Sequence, residues 1–181
     1  QGILRNCTIT GNMALSAAGI HAEAPPGWFT LANTIVAGNV SGSGGDCAGE
    51  LASQGHNIWG DATGCVIGGQ VALDGVGVDP RLGPLQASGG STLTHAPLGG
   101  SPALDGGDPA GCLHADGSPL GFDQRGAIRP VDGDGDAIAL CDIGAVEVDC
   151  GADSDGDGLG DACDCAATSG SRSGPITTSA R

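Results

Sequence analysis

The chain has 181 residues, enough for one domain of ordinary size, and a formal net charge of −15 with no lysine among its six basic residues. That charge disfavours nucleic acid and anionic membrane surfaces as partners, since both are negative, and it suits divalent cations. Glycine supplies 36 residues without a period of three, which excludes a collagen-like chain, and no apolar run is long enough to span a bilayer.

Residues 4–12 read LRNCTITGN and residues 31–39 read LANTIVAGN, so Leu, Asn, Gly and Asn recur 27 positions later. Self-similarity at such a period is the mark of a solenoid, in which each repeat is one short β-rich unit between Gly/Asn turns. Asparagine suits the sharp corners because it tolerates left-handed backbone, as glycine does. Between the repeats lie an extended piece, Gly19-Ile20-His21-Ala22, and a turn-rich excursion, Ala24-Pro25-Pro26-Gly27. A further unit is expected at His56-Asn57-Ile58-Trp59-Gly60-Asp61. Alternating Thr, Ile and Val is also ordinary antiparallel β, so these units alone fit a solenoid and a β-sandwich equally. Asn6-Cys7-Thr8 and Asn39-Val40-Ser41 match the N-glycosylation pattern but read here as corners of the repeat.

Eight cysteines in a chain of this size point to an oxidising compartment. Cys47 sits in the flexible loop Ser41–Gly49 and Cys65 follows 18 residues later, so a Cys47–Cys65 disulfide is expected to close that loop. Cys112 with Cys141 is the second expected pair, and Cys150 with Cys163 or Cys165 the third. Cys7, inside a strand pattern, reads as a buried free thiol. Connectivity is not fixed by order alone. The chain opens at Gln1, and its only methionine is Met13, with no secretory signal, so a piece of a longer secreted protein or a truncated product is expected.

Residues 79–94 and 101–108 are punctuated by Pro and Gly, and no long helix is expected anywhere. The stretch from Gly121 to Glu147 reads as a terminator. It has a polar turn over Asp123, Gln124, Arg125 and Gly126, then Arg129-Pro130, then an acidic Gly/Asp run from Asp132 to Asp136. An apolar strand is expected from Ala137 to Cys141, followed by Ile143-Gly144-Ala145-Val146. Arg125 and Arg129 are the cations of an acidic region, and one of them is expected to pair with Asp105 or Asp108 and close the end of the fold.

Three segments of this region, SPALDGGD at 101–108, DQRGAIRPVDGDGD at 123–136 and CDIGAVE at 141–147, resemble the closing segment of bacterial right-handed parallel β-helix surface proteins with a choice-of-anchor Q domain. The resemblance runs from about Leu4 to Glu147. It implies an all-β fold, the C-terminal rungs of a right-handed parallel β-helix, and a secreted or cell-surface location.

From Asp149 the character changes. In DSDGDGLGDACD, counted from Asp153 as the first position, Asp155, Asp157, Leu159, Asp161 and Asp164 fall at positions 3, 5, 7, 9 and 12, with Gly158 at 6. That is the spacing of an EF-hand-type Ca2+ loop, with Asp replacing the final Glu. Calcium takes six to eight hard oxygen ligands; alternate carboxylates can point inward, Gly158 permits the turn and the Leu159 carbonyl can coordinate. No amphipathic helices flank the loop. It resembles instead the thrombospondin type 3 repeat, which implies Asp153, Asp155, Asp157, Asp161 and Asp164 as ligands. Five clustered carboxylates repel one another without a cation, so order in the loop is expected to depend on metal. Asp132-Gly133-Asp134-Gly135-Asp136 has the alternation but no Gly at position 6 and no acid at position 12, and reads as a solvated acidic turn.

The expected organisation is β-helix rungs and closing segment over 1–147, a calcium loop over 148–165 and a disordered tail over 166–181. No nucleophile elbow, P-loop, HExxH or CxxC pair is present, and His21, His56, His95 and His114 are scattered. Only Asp105 and Asp108 with Arg125 resemble the carboxylate clusters with which many β-helix proteins cleave acidic polysaccharides. The expectation is therefore a non-catalytic structural or adhesive protein of the cell surface, with glycans or surface proteins as partners. The alternative is the end of a polysaccharide lyase or glycoside hydrolase whose catalytic rungs lie upstream.

Overall fold

The computed structural model describes residues 2–151 except 17, 24 and 26. Along the chain the strands are β1 (Gly2–Arg5), β2 (Thr8–Ile9), β3 (Met13–Ala14), β4 (Ile20–Ala22), β5 (Phe29–Ala32) and β6 (Ile35–Val36). They continue as β7 (Val40–Ser41), β8 (Cys47–Ser53), β9 (Ile58–Trp59), β10 (Cys65–Gly69) and β11 (Gly75–Val76). The described chain is all-β; its single helical element among these residues is the 3-10 turn Val71–Leu73.

Every pair of these strands is parallel. One sheet runs β1-β5-β8-β10 with β4 also beside β8, a second runs β11-β9-β6-β2, and β3 pairs with β7 in a third. The repeat seen in the sequence sets the register. Leu4 lies opposite Leu31, Thr8 opposite Ile35 and Met13 opposite Val40, each partner 27 residues further on. Further along the second sheet the spacing shortens: Ile35 faces Ile58 at 23, and Ile58 faces Gly75 at 17.

The corners are built from side chains as much as from backbone. Asn6, Asn33 and His56 all adopt left-handed φ, at 51°, 49° and 56°, at equivalent corners. The next residue in each layer hands its backbone N–H to the layer below: Cys7 N–H to Thr34 Oγ1 at 3.4 Å, Thr34 N–H to Asn57 Oδ1 at 3.1 Å, and Asn57 N–H to Asp74 Oδ1 at 3.0 Å. At the far end of the second sheet the N–H of Asn12 donates to Asn39 Oδ1 at 3.1 Å. Corner amides that no strand can reach are thus satisfied by short polar side chains.

The central strands of the second sheet, β6 and β9, are buried on both faces, as strands of parallel sheets usually are. Its strands are only two residues long, so each gives one side chain to either face. Val36 and Trp59 enter one cluster with Ala22, Leu31, Cys47 and Leu51. Ile35 and Ile58 enter the other with Ala37, Ala103 and Ile143. Fully burying side chains of this size stabilises by about 1.5–3 kcal/mol each. Trp59 completes its burial by donating Nε1–H to Asp74 Oδ2 at 3.0 Å.

The second cluster explains where the closing segment goes. Ala103 and Ile143 cover the outer face of β6 and β9, and the segment runs along that side of the sheets. Its backbone is held by Gly144 N–H to Asn33 O, Ala145 N–H to Thr8 Oγ1 and Asp108 N–H to Asn33 Oδ1. At Gly144, with φ +106°, a Cβ would lie 2.7 Å from Thr8 Oγ1 and 3.0 Å from Ile35 Cδ1, so only glycine permits this approach. From residue 79 to 147 pairing is reduced to isolated antiparallel bridges, such as Phe122 with Ile128 and Val131 with Leu140.

The strand expected from Ala137 to Cys141 is absent. Its N–H groups are taken by carboxylates: Ala137 by Asp132, Ile138 by Asp136 and Leu140 by Asp105. Ala137 itself turns left-handed at φ 69°. Two disulfides tie the fold, Cys47–Cys65 between the starts of β8 and β10 and Cys112–Cys141 within the closing region. Cys7 is a half-buried free thiol, and burial pushes its pKa up. Cys150 is buried; Cys163 and Cys165, its expected partners, lie outside the described residues.

Candidate functional site

The calcium-loop residues Asp153, Asp155, Asp157, Leu159, Asp161 and Asp164 lie outside the described residues, as does the expected tail over 166–181. The described chain places its dense polar chemistry in the closing segment, immediately before that loop.

Arg129 is buried, and its Nε donates to Glu147 Oε2 at 2.9 Å. The same guanidinium donates to Asp142 O at 2.7 Å and to Gly144 O at 3.3 Å. Glu147, also buried, accepts from Val131 N–H at 2.9 Å and from Asp142 N–H at 3.1 Å. Beside this pair Arg125 donates Nε–H to Asp123 Oδ2 at 2.8 Å and reaches Glu147 O. Asp123 also accepts from the N–H groups of Glu147, Arg125 and Ala127.

These pairings replace those expected from the sequence. Neither arginine reaches Asp105 or Asp108. Asp105 is already committed, with Oδ2 accepting from Gly133 and Asp134 N–H and Oδ1 from Leu140 N–H. Asp108 Oδ1 accepts from Ala110 N–H in a local turn. The acids that do hold the arginines, Asp123 and Glu147, together with buried Asp142, escaped the sequence reading. A usable signal existed: Asp142 and Glu147 are lone acids inside apolar runs, Cys141-Asp142-Ile143 and Val146-Glu147-Val148. An acid in that setting is buried with a partner or not at all.

The electrostatics follow the burial. Desolvation pushes Asp142 up to about 8, and the neighbouring Glu147 charge adds to it, against the N–H groups of Asp105 and Val148 that favour the carboxylate. Glu147 is also raised, because burial outweighs the opposing pull of Arg129 and of the Val131 N–H. Burial acts to raise Asp123 too, but the N–H of Glu147, the Arg125 guanidinium and two further N–H groups hold it below the usual range.

Asp105, Asp132 and Asp134 bring one carboxylate oxygen each within 4.8 Å of one another. Part of their acceptor capacity is spent on backbone donors, where Asp132 takes Gly135 and Ala137 N–H and Asp134 takes Asp136 N–H. These backbone donors offset part of the repulsion among the three carboxylates.

The histidines have separate local roles. His56 Nδ1 lies 3.1 Å from Gly106 O, His95 Nδ1 lies 2.8 Å from Gly83 O, and exposed His21 stands 3.7 Å from Glu23. An open cleft of about 510 Å3 runs past Asn39, Asp46, Asp61 and Asp79. Its carboxylates shape turns: Asp46 accepts from the N–H groups of Asn39 and Asp61, Asp61 from Thr63 N–H, and Asp79 from Arg81 N–H. Hydrogen bonds from Thr63 hold Asp61 below its ordinary pKa. No helix among the described residues is long and apolar enough to cross a membrane.

No family model matches the chain, and neither a curated protein nor a solved structure matches it.

Proposed function

We infer that the chain is the closing portion of a right-handed parallel β-helix in a secreted or surface-displayed protein, with a structural or adhesive role rather than a catalytic one. The observation that carries the reading is the shared parallel register of the first two repeats. Strands β1 to β4 pair in parallel with β5 to β8, and each partner stands 27 residues further along the chain. A hairpin would make neighbouring strands antiparallel, whereas parallel neighbours require a connection that returns to the same end of the sheet. Such crossovers are almost always right-handed. Successive turns of one coil meet both conditions. The two disulfides agree with an oxidising, extracellular setting.

In this reading the segment from Gly121 to Glu147 is a clasp along the side of the last turns, locked by Arg129 and Glu147. The Asp153–Asp164 loop that follows binds Ca2+ through Asp153, Asp155, Asp157, Asp161 and Asp164 and the Leu159 carbonyl, and stiffens the junction to whatever anchors the protein. The resemblance to choice-of-anchor Q domain proteins and to thrombospondin type 3 repeats supports both parts. A non-catalytic role is supported by the carboxylates of the closing segment from Gly121 to Glu147, whose oxygens accept from backbone N–H groups or pair with arginine.

The test is calorimetric titration of the full chain with calcium, with thermal melts in calcium and in chelator. Saturable binding in the range of extracellular calcium modules, roughly 10−4–10−3 M, and a lower melting temperature in chelator are expected. No heat at millimolar calcium and identical melts would make the loop an acidic linker. Release of new reducing ends from acidic polysaccharides by the purified chain would overturn the non-catalytic reading.

A further inference from the structure

We propose that β10, the last strand of the first sheet, pairs antiparallel with β10 of a second copy of this chain. Among the described residues no strand or bridge lies beyond it: β10 pairs with β8 and ends its sheet. An edge of five residues is a ready template for another strand, and folded proteins commonly guard such edges with charge or proline. Here the guard is missing, since no Asp, Glu, Arg, Lys or Pro occurs from Ala62 to Leu73. Val66, Leu73 and Val76 stand 64%, 51% and 48% exposed on the same last layer.

Hydrogen bonds at both ends of β10 fix the way its peptide groups point. Gly49 N–H donates to Gly64 O, and Gln70 N–H donates to Ser53 O. In the parallel register that runs from Cys65 opposite Gly49 to Gly69 opposite Ser53, the even-numbered residues therefore face β8. Ile67 turns both N–H and C=O away from β8, Gly69 turns its N–H away and Cys65 its C=O. The Cys65 N–H is spent on Ala62 O. A two-fold axis through Ile67 sets Ile67 opposite Ile67 of the second copy, and Cys65 opposite Gly69. The two Ile67 residues then exchange both N–H and C=O, and each Gly69 N–H meets the Cys65 carbonyl of the other copy. A two-fold contact needs one patch that fits itself, and this outward row does.

The side chains agree with the same axis. Val66 and Gly68 share the outward face of the strand, and the axis sets Val66 opposite Gly68 of the second copy. A Cβ at Gly68 would meet no atom within 4 Å, so the space that Val66 needs is open. Ile67 lies on the other face and packs against the cluster of Leu51 and Trp59, so a second copy continues that apolar interior. Charge argues for a copy of this chain over a different partner. At −15, two copies repel wherever their acids meet, and an uncharged edge lets them approach. A basic partner would be drawn to the acids, and this stretch carries none. The inference rests on the parallel layering alone, and neither on the calcium loop nor on the adhesive role.

The test is sedimentation of the full chain over a concentration series, with amide hydrogen exchange followed by NMR on the same samples. A monomer–dimer equilibrium is expected, with a Kd on the order of 100 μM for so small a contact. Added salt should tighten it by screening the repulsion between copies. The amides of Ile67 and Gly69 should gain protection as concentration rises. Val66→Glu with Gly68→Glu sets like charges directly opposite and should weaken the dimer at least about tenfold. Val66→Lys with Gly68→Lys should do the same, and an equal mixture of the two variants should dimerise again. Both positions are open in the single copy, so each variant keeps the fold. A monomer at every concentration up to about 1 mM would overturn the proposal. So would protection of Ile67 and Gly69 that does not depend on concentration, as when another part of the same chain covers the strand. A mixture no better than either variant would contradict the register, and assemblies that grow beyond the dimer would mean head-to-tail stacking of coil ends in place of the two-fold pair.

Discussion

At the scale of single residues the fold depends on a few buried polar groups, each with several partners. Asn57 is fully buried; its Oδ1 accepts from Thr34 N–H, and its Nδ2 donates to Ser53 Oγ at 3.0 Å and to Leu31 O at 3.3 Å. Asn57→Ala leaves these groups without partners and is expected to cost about 3 kcal/mol, read from denaturant midpoints. Glu147→Gln leaves the Arg129 charge buried and uncompensated, and a loss of about 3–5 kcal/mol is expected. The same clasp sets a pH dependence. Asp142 in the folded chain sits at about 8, above its ordinary value of 3.8. A raised carboxyl stabilises most when protonated, so its contribution is complete below the ordinary value and lost as pH climbs towards 8. Asp123 is lowered and acts in the opposite sense, contributing above its ordinary value and losing that contribution as pH falls further into acid. The melting temperature should therefore decline from about pH 5 to pH 8, and Asp142→Asn should flatten that decline. An unaltered slope in the variant would assign it to other groups.

At the scale of elements the units at 4–12, 31–39 and 56–61 were legible. The longest strand, β8, was not, because its start, Cys47 to Gly49, lies in the Gly/Ser-rich stretch read as the flexible loop Ser41–Gly49. The closing segment was not legible either. The recurring Leu, Asn, Thr/Ile/Val and Gly-Asn pattern carries its own register, because equivalent residues stack on one another. The ladder of Thr34, Asn57 and Asp74 was hidden, since each layer uses a different residue for the same hydrogen bond. The failed strand from Ala137 to Cys141 shows the other limit: apolar alternation predicts a strand, but nearby aspartates captured its amides first. The arginine partners were misread for a related reason. Asp105 looked free in the sequence and is saturated by backbone donors in the fold. Two tests belong at this scale. Gly144→Ala forces a Cβ against Thr8 and Ile35 and should lift the closing segment from the sheet, at a cost of about 2 kcal/mol and with greater hydrogen exchange at Ala145. Cys47→Ser with Cys65→Ser removes the constraint on an 18-residue separation and should cost about 3 kcal/mol by the loop-entropy relation.

At the scale of the whole molecule the described chain is two apolar clusters on either side of one narrow parallel sheet, one shared with strands of the first sheet and one beneath the closing segment. The interior cluster alone would leave Ile35 and Ile58 facing water, so the closing segment belongs to the fold rather than being appended to it. The site chemistry was the less legible part, because it arises from contacts between separate stretches: Arg129 is held by Asp142, Gly144 and Glu147, and Asp105 by Gly133, Asp134 and Leu140. The central claim is the parallel stacking of layers one repeat apart, and a nuclear Overhauser spectrum of the labelled full chain tests it most directly. Contacts linking Leu4 with Leu31, Ile9 with Val36 and Met13 with Val40, in the pattern of parallel strands, are predicted. Contacts in an antiparallel pattern between strands adjacent in sequence, such as β5 with β6, would contradict it and return the chain to the β-sandwich class.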